Sequence, residues 1–143
     1  MNRPDSEAQT VRHILQSCRS VAVVGLSPKA HRASFGVARY MQAAGWKIIP
    51  INPNASEILG VKAYPSLTEA AREHRIELVD VFRNSEDVPP VVDEAIAVGA
   101  QAVWLQLGVV NEPAAARARA AGLQVVQDRC LKVDHALLTA DRD

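Results

Sequence analysis

The stretch with most capacity for chemistry is Gly25-Leu26-Ser27-Pro28-Lys29-Ala30-His31-Arg32-Ala33-Ser34, directly after the apolar run Val21-Ala22-Val23-Val24. Gly25 permits a tight turn and a close backbone approach. Ser27 and Ser34 supply hydroxyls, and Lys29 and Arg32 supply cations beside an expected helix start. Free N–H groups at a helix N-terminus, with cations nearby, form an anion site. The chemistry expected here is phosphate binding. The competing reading is an ordinary strand-to-helix loop, which also needs a glycine, a cap and some solvated charge.

Two better-known phosphate loops are excluded. The dinucleotide pattern G-x-G-x-x-G needs glycines at 27 and 30, where this chain has Ser27 and Ala30. An NAD site also wants a carboxylate at the end of the second strand. Here Asn52-Pro53 stands there, with no acid before Glu57. The G-x4-G-K-[ST] pattern is absent as well.

Two further loops complete the candidate site. In Phe82-Arg83-Asn84-Ser85-Glu86-Asp87-Val88-Pro89-Pro90, Phe82 and Val88 could clamp an adenine and Arg83 could reach a phosphate. The same loop also reads as a surface turn anchored by one buried phenylalanine. Farther on, Gln106 and Gly108 follow an apolar run. A buried amide must be paired, so Gln106 is either a structural hydrogen bonder or a ligand contact.

No catalytic set is visible. His13, His31, His74 and His135 are scattered, without metal-ligand spacing, and read as surface or satisfied histidines. Asp80 lacks an obvious acid/base partner. Cys130 reads as a buried small hydrophobe. Cys18 and Cys130 are the only cysteines and make no C-x-x-C, which fits a reduced, cytoplasmic protein.

The elements that must position these loops follow from periodicity. Val21–Val24, Lys47–Ile51, Leu78–Phe82, Ala102–Leu107 and Gln124–Gln127 read as strands, the first of them a buried β-branched run. Helical patterns fill the gaps. One is capped by Ser34 and closed by Gly45, and one opens at Ser66 or Thr68 and runs through His74. One runs from Pro89-Pro90 to Val98, and one covers Glu112–Ala121. A helix over Ser6–Ser17 leads, capped by Ser6, after a frayed tail at residues 1–5, and a short helix over Lys132–Leu138 closes the chain. This predicts one α/β domain over residues 1–143, a Rossmann-like three-layer sandwich on a five-stranded parallel sheet in the order 3-2-1-4-5. Ligands of such sheets bind at the carboxyl ends of the strands.

Composition agrees with a globular domain: 143 residues, 48% hydrophobic, 22% charged, with sixteen basic and sixteen acidic side chains. Zero net charge argues against nucleic acid and anionic membranes as partners, and 4% aromatics argues against base-stacking surfaces. No apolar run approaches the roughly 20 residues that span a bilayer. A homodimer is consistent with the small size and an apolar edge.

Taken together, several segments resemble the stand-alone CoA-binding-domain proteins, relatives of the N-terminal domain of succinyl-CoA synthetase alpha subunits. They are Val21–Ser27, Arg32–Val37, Ile49–Pro53, Ile58–Gly60, Tyr64–Leu67, Val79–Arg83, Ala102–Gly108 and Asp128–Cys130. The resemblance implies coenzyme A or an acyl-CoA as ligand, held by its nucleotide end at the first strand-to-helix loop. It would place phosphates at Gly25, Ser27, Pro28, Arg32 and Ser34. Asn52-Pro53 would lie against the nucleotide, with Phe82 and Val88 beside the adenine or pantetheine arm. Gln106-Leu107-Gly108 would form the far wall. The synthetase subunit's second, phosphohistidine-bearing domain has no counterpart here, so the expectation is a non-catalytic binding module. The alternatives are an NAD(P)-dependent reductase and a detached subunit of an acyl-CoA ligase.

Overall fold

Strand β1 (Ser20–Val24) is buried at all five residues, as its β-branched run requires. It lies inside a parallel sheet with β2 (Lys47–Ile51) on one side and β5 (Leu78–Val81) on the other; β6 (Ala102–Leu105) and β7 (Gln124–Val126) follow. The computed structural model describes residues 4–140, with side chains from residue 6. Helices α1 (Pro4–Ser17), α2 (Ala33–Ala43) and α6 (Leu131–Ala140) carry Ile14, Met41 and Leu131 into the core on one face of the sheet. On the other face α3 (Leu67–Ala70), α4 (Val88–Ala97) and α5 (Glu112–Ala120) bury Leu67, Val92 and Ala118. This is the expected α/β sandwich. Among the described residues no helix is long and apolar enough to cross a membrane.

The strand order differs from the expected one. Counting only the five strands read from the sequence, it is 2-1-3-4-5, because Leu78–Val81 sits beside β1 rather than outside β2. The outer edge of β2 is taken by Tyr64, in a one-residue parallel bridge to Ile51. The Tyr64 N–H donates to the Pro50 carbonyl at 2.9 Å, and the Asn52 N–H donates to the Tyr64 carbonyl at 2.8 Å. Pro50 turns its missing donor toward this edge, where a full strand would lose a bond. The chain then crosses back over β1. A vestigial third strand therefore stands where the expected order put a whole one.

Local departures have local causes. Pro4 and Asp5, expected in a frayed tail, belong to α1, so Ser6 lies within the helix instead of capping it; proline's fixed φ suits a first turn. Residues 1–3 of that tail lie outside the described residues. The helix expected through His74 ends at Ala70, capped by Ser66, whose Oγ accepts the Glu69 N–H at 3.1 Å. Beyond it Glu73 and His74 both bond the Tyr64 hydroxyl, at 2.7 and 2.9 Å, and the chain tightens into turns. A hairpin of β3 (Glu57–Ile58) and β4 (Val61–Lys62) turns through Leu59 and Gly60, both at positive φ. Two-residue strands carry no periodicity, and the sequence gives no sign of this pair.

Candidate functional site

The loops after β1 and β5 leave the sheet where the chain direction divides, and β6 adds a third loop. Between them lies a cleft of about 1100 Å³ at the carboxyl end of the strands. Ligand sites typically enclose roughly 300–1,000 Å³, so a large cofactor fits the dimensions.

The first wall is the β1–α2 loop. Gly25 has φ +87°, and a Cβ there would lie 2.3 Å from the Phe82 carbonyl oxygen, so only glycine fits. Leu26 is fully buried and pins the loop; its carbonyl accepts from Asn52 Nδ2 at 2.9 Å. The Ser27 N–H donates to Ser34 Oγ at 3.0 Å, and the Lys29 N–H donates to Ser27 Oγ at 3.1 Å. Ser34 was expected as the helix cap. The cap position belongs instead to Arg32, whose side chain makes no capping bond, while Ser34 is buried inside the first turn and braces the loop. The first turn of α2 carries no acidic residue. Its positive end is neutralised by no carboxylate of its own and lines the cleft through Ala33 and Ser34.

Cations gather here. Lys29, Arg32 and Arg83 all line the cleft, and among the described residues none of the three is in an ion pair. Glu86 and Asp87 oppose them from the 3₁₀ turn Ser85–Asp87. Ser85 ties this turn to the next loop: its Oγ accepts the Val110 N–H at 3.0 Å, and its carbonyl accepts from Asn111 Nδ2 at 2.9 Å.

The far wall runs from Gln106 to Val109 with Cys130 beside it. Gly108, at φ +80°, donates its N–H to Asp128 Oδ1 at 2.7 Å. Leu107 is 66% exposed, unusual for a leucine in a concave site. Gln106 is 4% exposed and donates from Nε2 to Asp80 Oδ1 at 2.7 Å. Asp80 is fully buried in β5, and its Oδ2 meets no partner. Burial pushes its carboxyl up to about 7, against a smaller opposing effect from the Gln106 bond.

Of the residues expected from the sequence, Gly25, Ser27, Lys29, Arg32, Ser34, Phe82, Arg83, Gln106 and Gly108 meet in this one cleft. Four do not line it. Pro28 is an exposed loop residue, and Asn52 braces Leu26 beside an exposed Pro53. Val88, expected to face Phe82 across a ligand, is 0% exposed in the core beneath α4. Its place in the first turn of an amphipathic helix turned it inward. Cys130, read as buried, is half-buried at the cleft wall. The Asp80–Gln106 pair was missed as a pair. The signal was available, since Gln106, just past the end of β6, lies two residues beyond Trp104, the register partner of Asp80, and so on the same face.

A parallel sheet with helices on both faces and a crevice at its switch point defines a Rossmann-like domain. The chain belongs to the family described as CoA binding domain, whose profile matches residues 19–136. It is 44% identical over 127 residues to the protein YneT of Bacillus subtilis, covering 89% of this chain and 93% of that one. A solved hypothetical protein from Pyrococcus horikoshii superposes with a TM-score of 0.88 at 34% identity, over 97% of this chain and 98% of that one. An ADP-forming acetate–CoA ligase of Archaeoglobus fulgidus is 34% identical over 83 residues, which is 57% of this chain and 12% of the ligase.

Proposed function

We propose that this chain binds coenzyme A or an acyl-CoA through its nucleotide-phosphate end and acts as a non-catalytic binding module. The observation that carries the reading is the cleft's cationic end. Lys29, Arg32 and Arg83, in no ion pair among the described residues, line the same cleft as the open first turn of α2 in a member of the CoA binding domain family. Gly25 lets the backbone approach a phosphate where any side chain would collide. The NAD reading is disfavoured because Asn52, where a ribose-binding acid would stand, spends its amide on the loop carbonyl of Leu26. The ligase similarity reaches one part of a much longer protein, so the module is read without the ligase's chemistry. Two free cysteines, one of them at the cleft, support a reducing, cytoplasmic setting.

Calorimetric titration with CoA, acetyl-CoA, NAD and ATP tests this. CoA or acetyl-CoA should bind, and NAD should not. Arg32→Ala and Ser34→Ala should each weaken CoA by about 1–3 kcal/mol, the range of charge-assisted hydrogen bonds. Heat with NAD and none with CoA would overturn the reading; unchanged affinity in the variants would place the phosphates elsewhere.

A further inference from the structure

The cleft has two chemically different ends, and the second rests on a buried residue, Asp80, that does not line the cleft. At the first end stand Lys29 and Arg32. At the other, Gln106 is the polar side chain of the far wall, next to Cys130, Val109 and the exposed Leu107. Its Nε2 is spent on Asp80, 2.7 Å away beneath the cleft. Among the described residues nothing donates to its Oε1, and the residue lines the cleft. The neighbours of Asp80 across the sheet are Val23 and Trp104, which offer its carboxyl no side-chain hydrogen bond.

We infer that Asp80 is a positioning residue that holds the Gln106 amide with its oxygen toward the cleft, so that this end selects a neutral hydrogen-bond donor, an amide N–H of the ligand's arm, and rejects anionic groups. An amide can turn by half a rotation at little cost, which would present N–H₂ instead. Only a fixed acceptor beneath it makes the outward atom an oxygen. Oδ1 of Asp80 is that acceptor, and the fully buried carboxyl cannot swing away. An acceptor oxygen repels phosphate and carboxylate, and the apolar surface of Leu107 and Val109 suits an aliphatic chain between amides. Phosphates are thus sorted to the Lys29–Arg32 end and the arm to the Gln106 end.

The inference rests on the CoA reading for its ligand but not for its geometry, and two measurements separate the two. The first needs no ligand. In ¹⁵N-labelled protein, the Gln106 side-chain NH₂ signal should move with the ionisation of Asp80 and should shift to a free-amide position in Asp80→Leu. A signal that ignores pH and is the same in both proteins would overturn the positioning role.

The second is calorimetry with CoA and with adenosine 3′,5′-bisphosphate, which lacks the arm. Gln106→Leu and Asp80→Leu should each weaken CoA about tenfold, the scale of one net hydrogen bond. The double variant should lose no more than either single one. Asp80→Asn can offer Gln106 either its carbonyl or its NH₂, so it should weaken CoA by less than Asp80→Leu; a loss as large as that of Asp80→Leu would count against an acceptor role at this position. Asp80→Leu keeps the branching at Cγ but is the bulkier side chain, so a melting temperature at or above that of the unaltered protein separates lost positioning from lost fold, and Gln106→Leu at the cleft wall carries the test if that melting temperature falls. The bisphosphate should bind all variants alike. An equal loss with the bisphosphate would put Gln106 on the nucleotide and overturn the assignment to the arm. Failure of the unaltered protein to bind CoA, with the NMR coupling intact, would remove the arm as ligand and the CoA reading with it, leaving Asp80 and Gln106 coupled.

Discussion

A methyl group on Gly25 would sit 2.3 Å from the Phe82 carbonyl, in a backbone conformation that side chains rarely adopt. Both effects act together in Gly25→Ala, which should destabilise the protein by about 2–4 kcal/mol in urea denaturation and distort the first wall of the cleft. Asp80 makes a different kind of prediction. Burial holds its carboxyl at about 7 in the folded protein, whereas an unfolded aspartate titrates near about 4. Between those values the folded chain keeps a proton that the unfolded chain has released. Stability from this group therefore falls as pH rises from about 4 to about 7 and is level above. Asp80→Asn has no proton to lose, so its melting temperature should gain most on the unaltered protein above pH 7 and least near pH 4. A gap that stays constant with pH would show that Asp80 keeps its ordinary pKa. At this scale the sequence was partly legible. Gly25, Lys29 and Arg32 follow from residue type and place alone. Val88 and Cys130 do not, because which way a side chain turns depends on packing that a linear pattern leaves open.

Elements are held by contacts at the end of the sheet away from the cleft. Glu77, just before β5, accepts the Arg19 N–H at 2.8 Å, the Ser20 N–H at 3.0 Å and the Ser20 hydroxyl at 3.1 Å on one carboxylate oxygen. Burial alone would raise its pKa, but these hydrogen bonds outweigh it and the carboxyl lies below its usual range. Glu77→Ala strands two backbone donors at the start of β1. It should cost about 1–3 kcal/mol in denaturant titrations and leave CoA affinity unchanged, since the cleft lies at the opposite ends of these strands. The five strands and the longer helices could be read from hydrophobic period to within a few residues. The hairpin of Glu57–Ile58 with Val61–Lys62 could not, because four residues in two strands show no alternation. Ser34 was placed in the right turn but given the wrong task. Local pattern identifies a helix start, and only the folded loop shows which hydroxyl is drawn inward by Ser27.

Across the whole molecule, the class of fold follows from five β–α alternations and a core on both faces of the sheet. The order of strands does not follow, because it turns on whether one connection lays down a full strand or the single residue Tyr64. The cleft itself survives that difference, because Gly25 and Phe82 end neighbouring strands in the observed order. The same Tyr64 bridge has a consequence for how the molecule meets others. The outer row of β2 is interrupted by a proline and covered by Tyr64, and the opposite edge strand, β7, is three residues long. Neither border offers a foreign strand a run of open donors and acceptors. Both borders are thus poor templates for an added strand, which disfavours aggregation by strand addition in the folded state.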